Sequence, residues 1–335
     1  MRRNLIVIIL VAIFLGLITI PLIRSSDEFP ANSQTGSTEI SIEEGEYGSS
    51  IANKLAGLGV IKSSAKFTSL LLADSHSRGI SPGRHRIDRH IPSSLALTQL
   101  LDQKRIMGVV VVKEGSTYLD VLAALQASPQ ISGKTLGATG VGGVNPTLPN
   151  KLNSLEGQLA PAQYSFADKT PLKSALAAIS KNFAREFSSW GSKVSGNGYS
   201  AYQILIIASM VQMEGDPTSY AKVARTIFNR LKIGMPLQLN STVQYILHER
   251  GKITLSTQAT HISSPYNTYL HQGLPPTPIS NPSSPAIEAV LSPASGKWLY
   301  FITVKPGDTR FTDKYSEFQS WEIQYNINVR KGLFR

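Results

Sequence analysis

From Ala201 to Met213 the chain carries no charged residue, and the run ends on a carboxylate, Glu214. Ile204, Leu205, Ile206, Ile207, Ala208, Met210 and Val211 leave a helix here almost no polar face, so it must be enclosed on all sides. A domain has to be built around such a helix, and this limits the fold more than any other stretch. Gly215 suits the position just past the helix, and Asp216-Pro217 reads as the cap and first turn of a second helix. That second helix runs to about Lys232, with Tyr220, Val223, Ala224, Ile227 and Leu231 on one face, and Gly234 closes it. Glu214 thus stands at a corner between two helices, near the negative end of an apolar one. Both factors favour its protonated form, which suits a general acid. A structural cap, or an ion pair with Arg225 or Arg230, is the competing role.

The N-terminus sets the compartment. Met1-Arg2-Arg3 precedes an uncharged apolar run from Asn4 to Ile23, ended by Arg24. A helix of that length rises about 30 Å, a bilayer core. The flanking arginines hold the N-terminus in the cytoplasm, so the remainder is expected outside the membrane. No small-x-small cleavage site follows the run, which favours an uncleaved anchor over a signal peptide. The chain carries 33 Lys and Arg against 22 Asp and Glu, a net charge of +11. That excess fits an anionic envelope, and no Cys/His finger or aromatic RNA-binding signature accompanies it to suggest nucleic acid. There is no cysteine, hence no disulfide or thiol chemistry.

The segmentation that follows is a cytoplasmic end (1–3), an anchor (4–23), a polar stalk (24–38), a small module (39–106) and a catalytic domain (107–335). In the small module, Glu39–Ile42 alternates as a strand, and Ser49–Gly57 and Ala65–Ala73 are helical. Ile80–Ile87 returns as a strand and Ser93–Leu101 is a short helix. Val109–Val112, a Glu-Gly turn and a helix from Tyr118 to Leu125 repeat the opening plan. Ser128–Leu152 is glycine-rich without a dinucleotide-binding pattern. Pro171–Phe187 is amphipathic, and Trp190–Gly198 reads as a loop.

The six histidines show no H-E-x-x-H or H-x-H spacing, so no metal site or other cofactor is expected. Ser63-Ser64-Ala65-Lys66 satisfies S-x-x-K, but no K-T-G follows, and it lies in the small module, so acyl transfer is set aside. Asn229, Gln238, Asn240, Thr242, Tyr266, Asn267 and Tyr269 supply amides, hydroxyls and aromatic faces suited to a polar binding site; they are equally suited to turns and loops. Glu156 is the other acid considered for a site, with a structural role as its alternative. The prolines from Pro265 to Pro293 make a rigid wall for a groove or a plain loop scaffold.

Several segments taken together resemble the YceG-like family of endolytic murein transglycosylases. They are Ala208-Ser209-Met210-Val211-Gln212-Met213-Glu214, Asn229-Arg230-Leu231, Leu237-Gln238-Leu239-Asn240-Ser241-Thr242-Val243, Pro265 to Tyr269, Gly273 to Ile279 and Leu155-Glu156-Gly157. Gln212, Asn240 and Arg310 stand where the family usually has Glu, Asp and His, and a Glu-His pair reads Glu317-Phe318 here. The resemblance implies an α+β chain with a membrane anchor, a LysM-like βααβ module that binds glycan or acts as a spacer, and a YceG-like catalytic domain. It also implies that Glu214 cleaves peptidoglycan strands between N-acetylmuramic acid and N-acetylglucosamine. The muramic 6-hydroxyl would capture the oxocarbenium-like centre, giving 1,6-anhydro ends. Glycan synthases and penicillin-binding proteins are the implied partners. A non-catalytic, membrane-anchored glycan-binding scaffold is the alternative.

Overall fold

The computed structural model describes residues 27–43, 45–133, 155–195, 198–249 and 256–334. The apolar run 4–23 lies outside these residues, as does most of the glycine-rich segment. Among the described residues no helix is long and apolar enough to cross a membrane. The chain divides into two compact units, at Met107 and Gly108.

In the first unit, β1 (Ser37–Ile42) pairs antiparallel with β2 (Gly83–Asp88), which pairs with the short β3 (Ile106–Met107). Ile40 and Ile42 face inward while Ser41 faces out, the period-two pattern of a half-buried strand. Three helices, α1 (Gly48–Gly57), α2 (Ser64–Ala73) and α3 (Ser93–Leu101), close one core over Ile51, Leu55, Phe67, Ile87, Leu97 and Leu100. The S-x-x-K pattern has a structural explanation here. Ser63 is the N-cap of α2, accepting from the Lys66 backbone N–H at 3.3 Å, and the Lys66 ammonium pairs with Glu28 at 3.6 Å.

The second unit opens with β4 (Val109–Val112), whose Val110 and Val112 are buried while Val109 and Val111 are exposed. A helix, α4 (Tyr118–Ala127), follows, headed by a reciprocal capping box between Thr117 and Asp120. The short β5 (Ile131–Ser132) pairs parallel with β7 (Thr170–Pro171), and β4 pairs antiparallel with β6 (Ala162–Ser165). The long α5 (Leu172–Ser188) buries Leu172, Ala175, Leu176 and Ile179 against α4 and β4, and its Phe183 and Phe187 in the central core. A short helix, α6 (Gly191–Ser195), forms where the sequence suggests only a loop.

The central helix is α7 (Ala201–Glu214), with its whole stretch from Ile204 to Val211 buried. It packs against α8 (Tyr220–Lys232), α9 (Asn240–Leu247) and α10 (Ser284–Leu291). Two local expectations are corrected. Gly215 is not left-handed: its backbone is extended, at φ −128°. It is glycine because a Cβ there would lie 2.9 Å from the Ser219 hydroxyl. Asp216 does not cap α8. Its Oδ1 accepts from the backbone N–H groups of Thr218 and Ser219, forming a turn that delays the helix to Tyr220.

The proline-rich segment is tied to α7 by the few polar residues that helix carries. Ser209 Oγ accepts from Ile279 N at 3.0 Å, and its carbonyl accepts from Ser280 Oγ. Gln212 Oε1 accepts from Ser283 N, and its amide donates to the Tyr220 hydroxyl. Gly157 lies under this strap with φ +77°, and a Cβ would meet Pro278 at 2.6 Å. A hairpin, β8 (Tyr300–Lys305) with β9 (Asp308–Thr312), and a last helix, α11 (Tyr315–Arg330), complete the unit.

Asn281 knots three segments together. Fully buried, it accepts from Leu159 N at 2.9 Å and donates to the Ser116 carbonyl at 2.8 Å through its side chain. Its backbone exchanges bonds with Gly115 and Ser116. Asn281→Ala leaves a buried N–H and a buried carbonyl without their side-chain partners, and is expected to cost about 2–4 kcal/mol in denaturant unfolding.

Candidate functional site

The second unit contains a hollow of about 640 Å³ into which Glu214 opens. The carboxylate sits on the last residue of α7, partly buried. Its Oε1 accepts the Ser241 backbone N–H at 2.9 Å. Ser241 is the second residue of α9, so the carboxylate lies at that helix's N-terminus, where unpaired N–H groups favour negative charge. Its own helix places it at a C-terminus, which does the opposite. The balance favours the proton. Removal from water pushes the Glu214 pKa above its ordinary value, and Ser241 and the positive charge of Arg230 only partly offset this.

Arg230 forms the floor beside it. This arginine is buried, and burial lowers its pKa. Its guanidinium donates to the carbonyls of Leu299 (2.6 Å) and Leu237 (2.6 Å) and lies 5.5 Å from the Tyr300 ring centre. It is therefore fixed by two segments at once, the approach to α9 and the start of β8, and acts on Glu214 through its field. Arg225 also serves structure, donating to the Ala294 carbonyl.

The same hollow gathers Gln238, Asn240 and Tyr269 from the residues singled out in the sequence. Asn240 accepts the Tyr269 hydroxyl. Tyr269 is pushed up to about 12 by burial and by the Glu214 charge, so it remains a neutral hydrogen-bonding group. Gln238 adopts φ +48°, an uncommon conformation for a residue with a side chain, and its N–H is held by the Thr268 carbonyl at 3.0 Å.

The structure does not bring the others to this hollow. Asn229 donates to the carbonyls of Gly296 and Trp298, holding the loop before β8. Thr242 is buried and bonds to the Leu239 carbonyl and the Thr268 hydroxyl, fixing the approach to α9. Asn267 is buried and braces its loop through Thr260, Ile262 and Tyr269. Tyr266 bonds to Thr277 and packs on Tyr245. Glu156 is buried: both of its oxygens accept from Tyr118 N at the start of α4, and Tyr245 donates to it at 3.2 Å. Of the departures from the family pattern, Gln212 braces the strap, Asn240 lines the hollow, and Arg310 makes a two-pronged pair with Asp308.

Ser241 and four residues near the C-terminus were not picked out as site residues in the sequence. Ser241 meets the carboxylate with its backbone N–H, for which the sequence gives no signal beyond its place at a helix start. Glu322, with Tyr300, Tyr315 and Phe318, comes from the C-terminal hairpin and helix. The aromatic spacing there gives no hint that it faces a carboxylate a hundred residues away. Among the described residues no group of His, Cys, Asp or Glu is arranged to hold a metal ion.

This architecture belongs to a known class: the YceG-like family model matches residues 40–322, and the chain belongs to that family. An endolytic murein transglycosylase of Bacillus subtilis (strain 168) is 28% identical over 304 residues, covering 85% of this chain and 84% of its own length. An endolytic murein transglycosylase of Streptococcus pneumoniae serotype 2 (strain D39) is 38% identical over 157 residues, covering 44% of this chain and 28% of its own. A crystal structure of a YceG-like protein from Listeria monocytogenes superposes with a TM-score of 0.57 at 22% identity. It covers 86% of this chain and 99% of its own, a likeness of fold.

Raised pKa and stability are linked. Ionising Glu214 is harder in the folded chain than in the unfolded one. The folded state bears no penalty below the ordinary value of 4.5, acquires it as pH rises through that value and the raised one, and bears it fully above. Glu214→Gln removes the charge and keeps an acceptor for Ser241 N–H. The variant is expected to melt at a higher temperature than the parent at pH 7, with the gap closing as pH falls through the raised value and gone below 4.5. Thermal scans across that range measure it.

Proposed function

We propose that this chain is an endolytic murein transglycosylase that uses Glu214 as its single acid and base. The observation that carries the reading is a carboxylate with a raised pKa opening into a large hollow lined by amides, phenols and aromatic rings. The family membership and the curated relatives named for this activity support it.

In this reading Glu214 is protonated when a strand binds, and gives its proton to the oxygen linking N-acetylmuramic acid to N-acetylglucosamine. As that bond breaks, positive charge develops at muramic C1. The 6-hydroxyl of the same sugar closes on C1, and Glu214, now ionised, takes its proton. An internal nucleophile has a high effective concentration, so the enzyme needs no second nucleophile and consumes no water. The Ser241 N–H and Arg230 stabilise the carboxylate in the interval between the two transfers. Asn240, Gln238 and Tyr269 offer hydrogen bonds to the acetamido and hydroxyl groups. The apolar run 4–23 holds the chain in the membrane with this domain outside, near the synthases and penicillin-binding proteins that extrude new strands. In sequence, the LysM-like module lies between that run and the catalytic domain.

A second reading rests on Glu322, which lines the same hollow. Two carboxylates across a cleft define an ordinary glycosidase. Incubating the chain with uncrosslinked glycan strands and weighing the products separates the two. The transglycosylase gives 1,6-anhydro ends, and Glu322→Gln retains activity. Hydrated reducing ends, lost in Glu322→Gln, would mean a hydrolase. Glu214→Gln is expected to reduce turnover by about 10²–10⁴-fold in either case. Uncleaved strands that still bind the parent would leave a scaffold.

The pH profile follows from the same group. The free enzyme must hold the proton, so kcat/KM is expected to fall as pH rises through the raised Glu214 pKa. A profile flat across the acid-to-neutral range would remove Glu214 as the acid.

A further inference from the structure

The wall of the hollow contributed by the C-terminal hairpin and helix is built from three rings in mutual contact. Tyr300 lies on β8, and Tyr315 and Phe318 lie on the first turn of α11. Their ring centres are 5.4 Å apart for Tyr300 and Tyr315, 5.5 Å for Tyr300 and Phe318, and 6.2 Å for Tyr315 and Phe318. None of the three is buried, and Tyr315 is 55% exposed. Aromatic rings that only pack a helix onto a hairpin are driven out of water, yet these line a water-accessible hollow with Glu214. The cluster is also anchored from below, because the buried Arg230 guanidinium lies against Tyr300.

The chemistry of a pyranose matches such a wall. Its rim carries hydroxyl and amide groups, and its face carries C–H groups, which pack on an aromatic face. Asn240 and Tyr269, which line the same hollow, supply the polar partners.

We propose that Tyr300, Tyr315 and Phe318 form a sugar-stacking subsite, which binds one pyranose of the glycan strand beside the residue cleaved at Glu214. This deepens the proposed function and rests on it for the identity of the strand. The subsite has no reacting atom. It positions the strand and sets how tightly the enzyme holds it.

The test measures binding apart from cleavage. In the full-length Glu214→Gln chain, affinity for oligomers of alternating N-acetylglucosamine and N-acetylmuramic acid is titrated, then repeated with Tyr315→Ala, Tyr315→Trp and Phe318→Ala added. Tyr315→Ala and Phe318→Ala are each expected to weaken binding about tenfold, and Tyr315→Trp to keep it within about twofold, since a larger ring preserves stacking. Ile323→Ala, at an exposed position on α11 that does not line the hollow, is expected to leave affinity unchanged. In the active chain, Tyr315→Ala is expected to raise KM with little change in kcat. Melting temperatures verify that Tyr315→Ala still folds. Affinities within twofold for both alanine variants, or no binding by the Glu214→Gln parent, would overturn the subsite. Ring-dependent binding by a chain whose active form cuts no strand would keep the subsite and refute the transglycosylase.

Discussion

One hydrogen bond joins the two halves of the candidate site: Ser241 N–H to the Glu214 carboxylate. It requires the end of one helix to meet the start of another at 2.9 Å, and much of the second unit serves that meeting. The apolar α7 carries Glu214 outward from the core. Thr242, Thr268 and the Leu239 carbonyl hold the approach to α9, so that its first turn presents a donor rather than a side chain. A carboxylate between the negative end of its own helix and the positive end of another sits in opposed fields. Desolvation then decides in favour of the proton. A group placed in this way gives up its proton less readily than an exposed carboxylate, and has a donor beside it once ionised.

The buried polar residues follow a consistent plan. Ser209 and Gln212 would be a cost on the buried stretch of so apolar a helix, but each binds the backbone of the segment that crosses it. Asn281 does the same for the turn after β4. The proline-rich segment has few N–H groups to spend on a sheet. It is held instead by side chains reaching out from the core, which is a rigid way to support one side of the domain. Glu156 belongs to the same supporting structure, receiving Tyr118 N at the head of α4.

The rest of the hollow is assembled from distant parts of the chain. Arg230 on α8, Asn240 on α9, Tyr269 in the following loop and the rings of the C-terminal hairpin and helix all face it. Arg230 unites them. Its bonds to the Leu237 and Leu299 carbonyls and its contact with Tyr300 fix the polar and aromatic sides relative to Glu214. Truncating it would therefore disturb position as well as charge.

The buried helix, the strands of the small module and the corner carboxylate were legible because each depends on local periodicity or on a lone charge in an apolar run. The polar candidates were not sorted by sequence. Asn229, Thr242 and Asn267 have the same chemistry as Asn240 and Gln238, and only packing sends the first three inward to backbone carbonyls and the last two to the hollow. Gly215 shows the same limit, since a left-handed cap and a close approach to Ser219 both call for glycine. The sequence by itself determined which helix must be enclosed and which carboxylate would emerge from it, because hydrophobic burial is written residue by residue. Only the tertiary structure decided what faces that carboxylate. A backbone N–H, a buried guanidinium and a ring cluster are brought to it by contacts across long stretches of chain, and no local pattern encodes them.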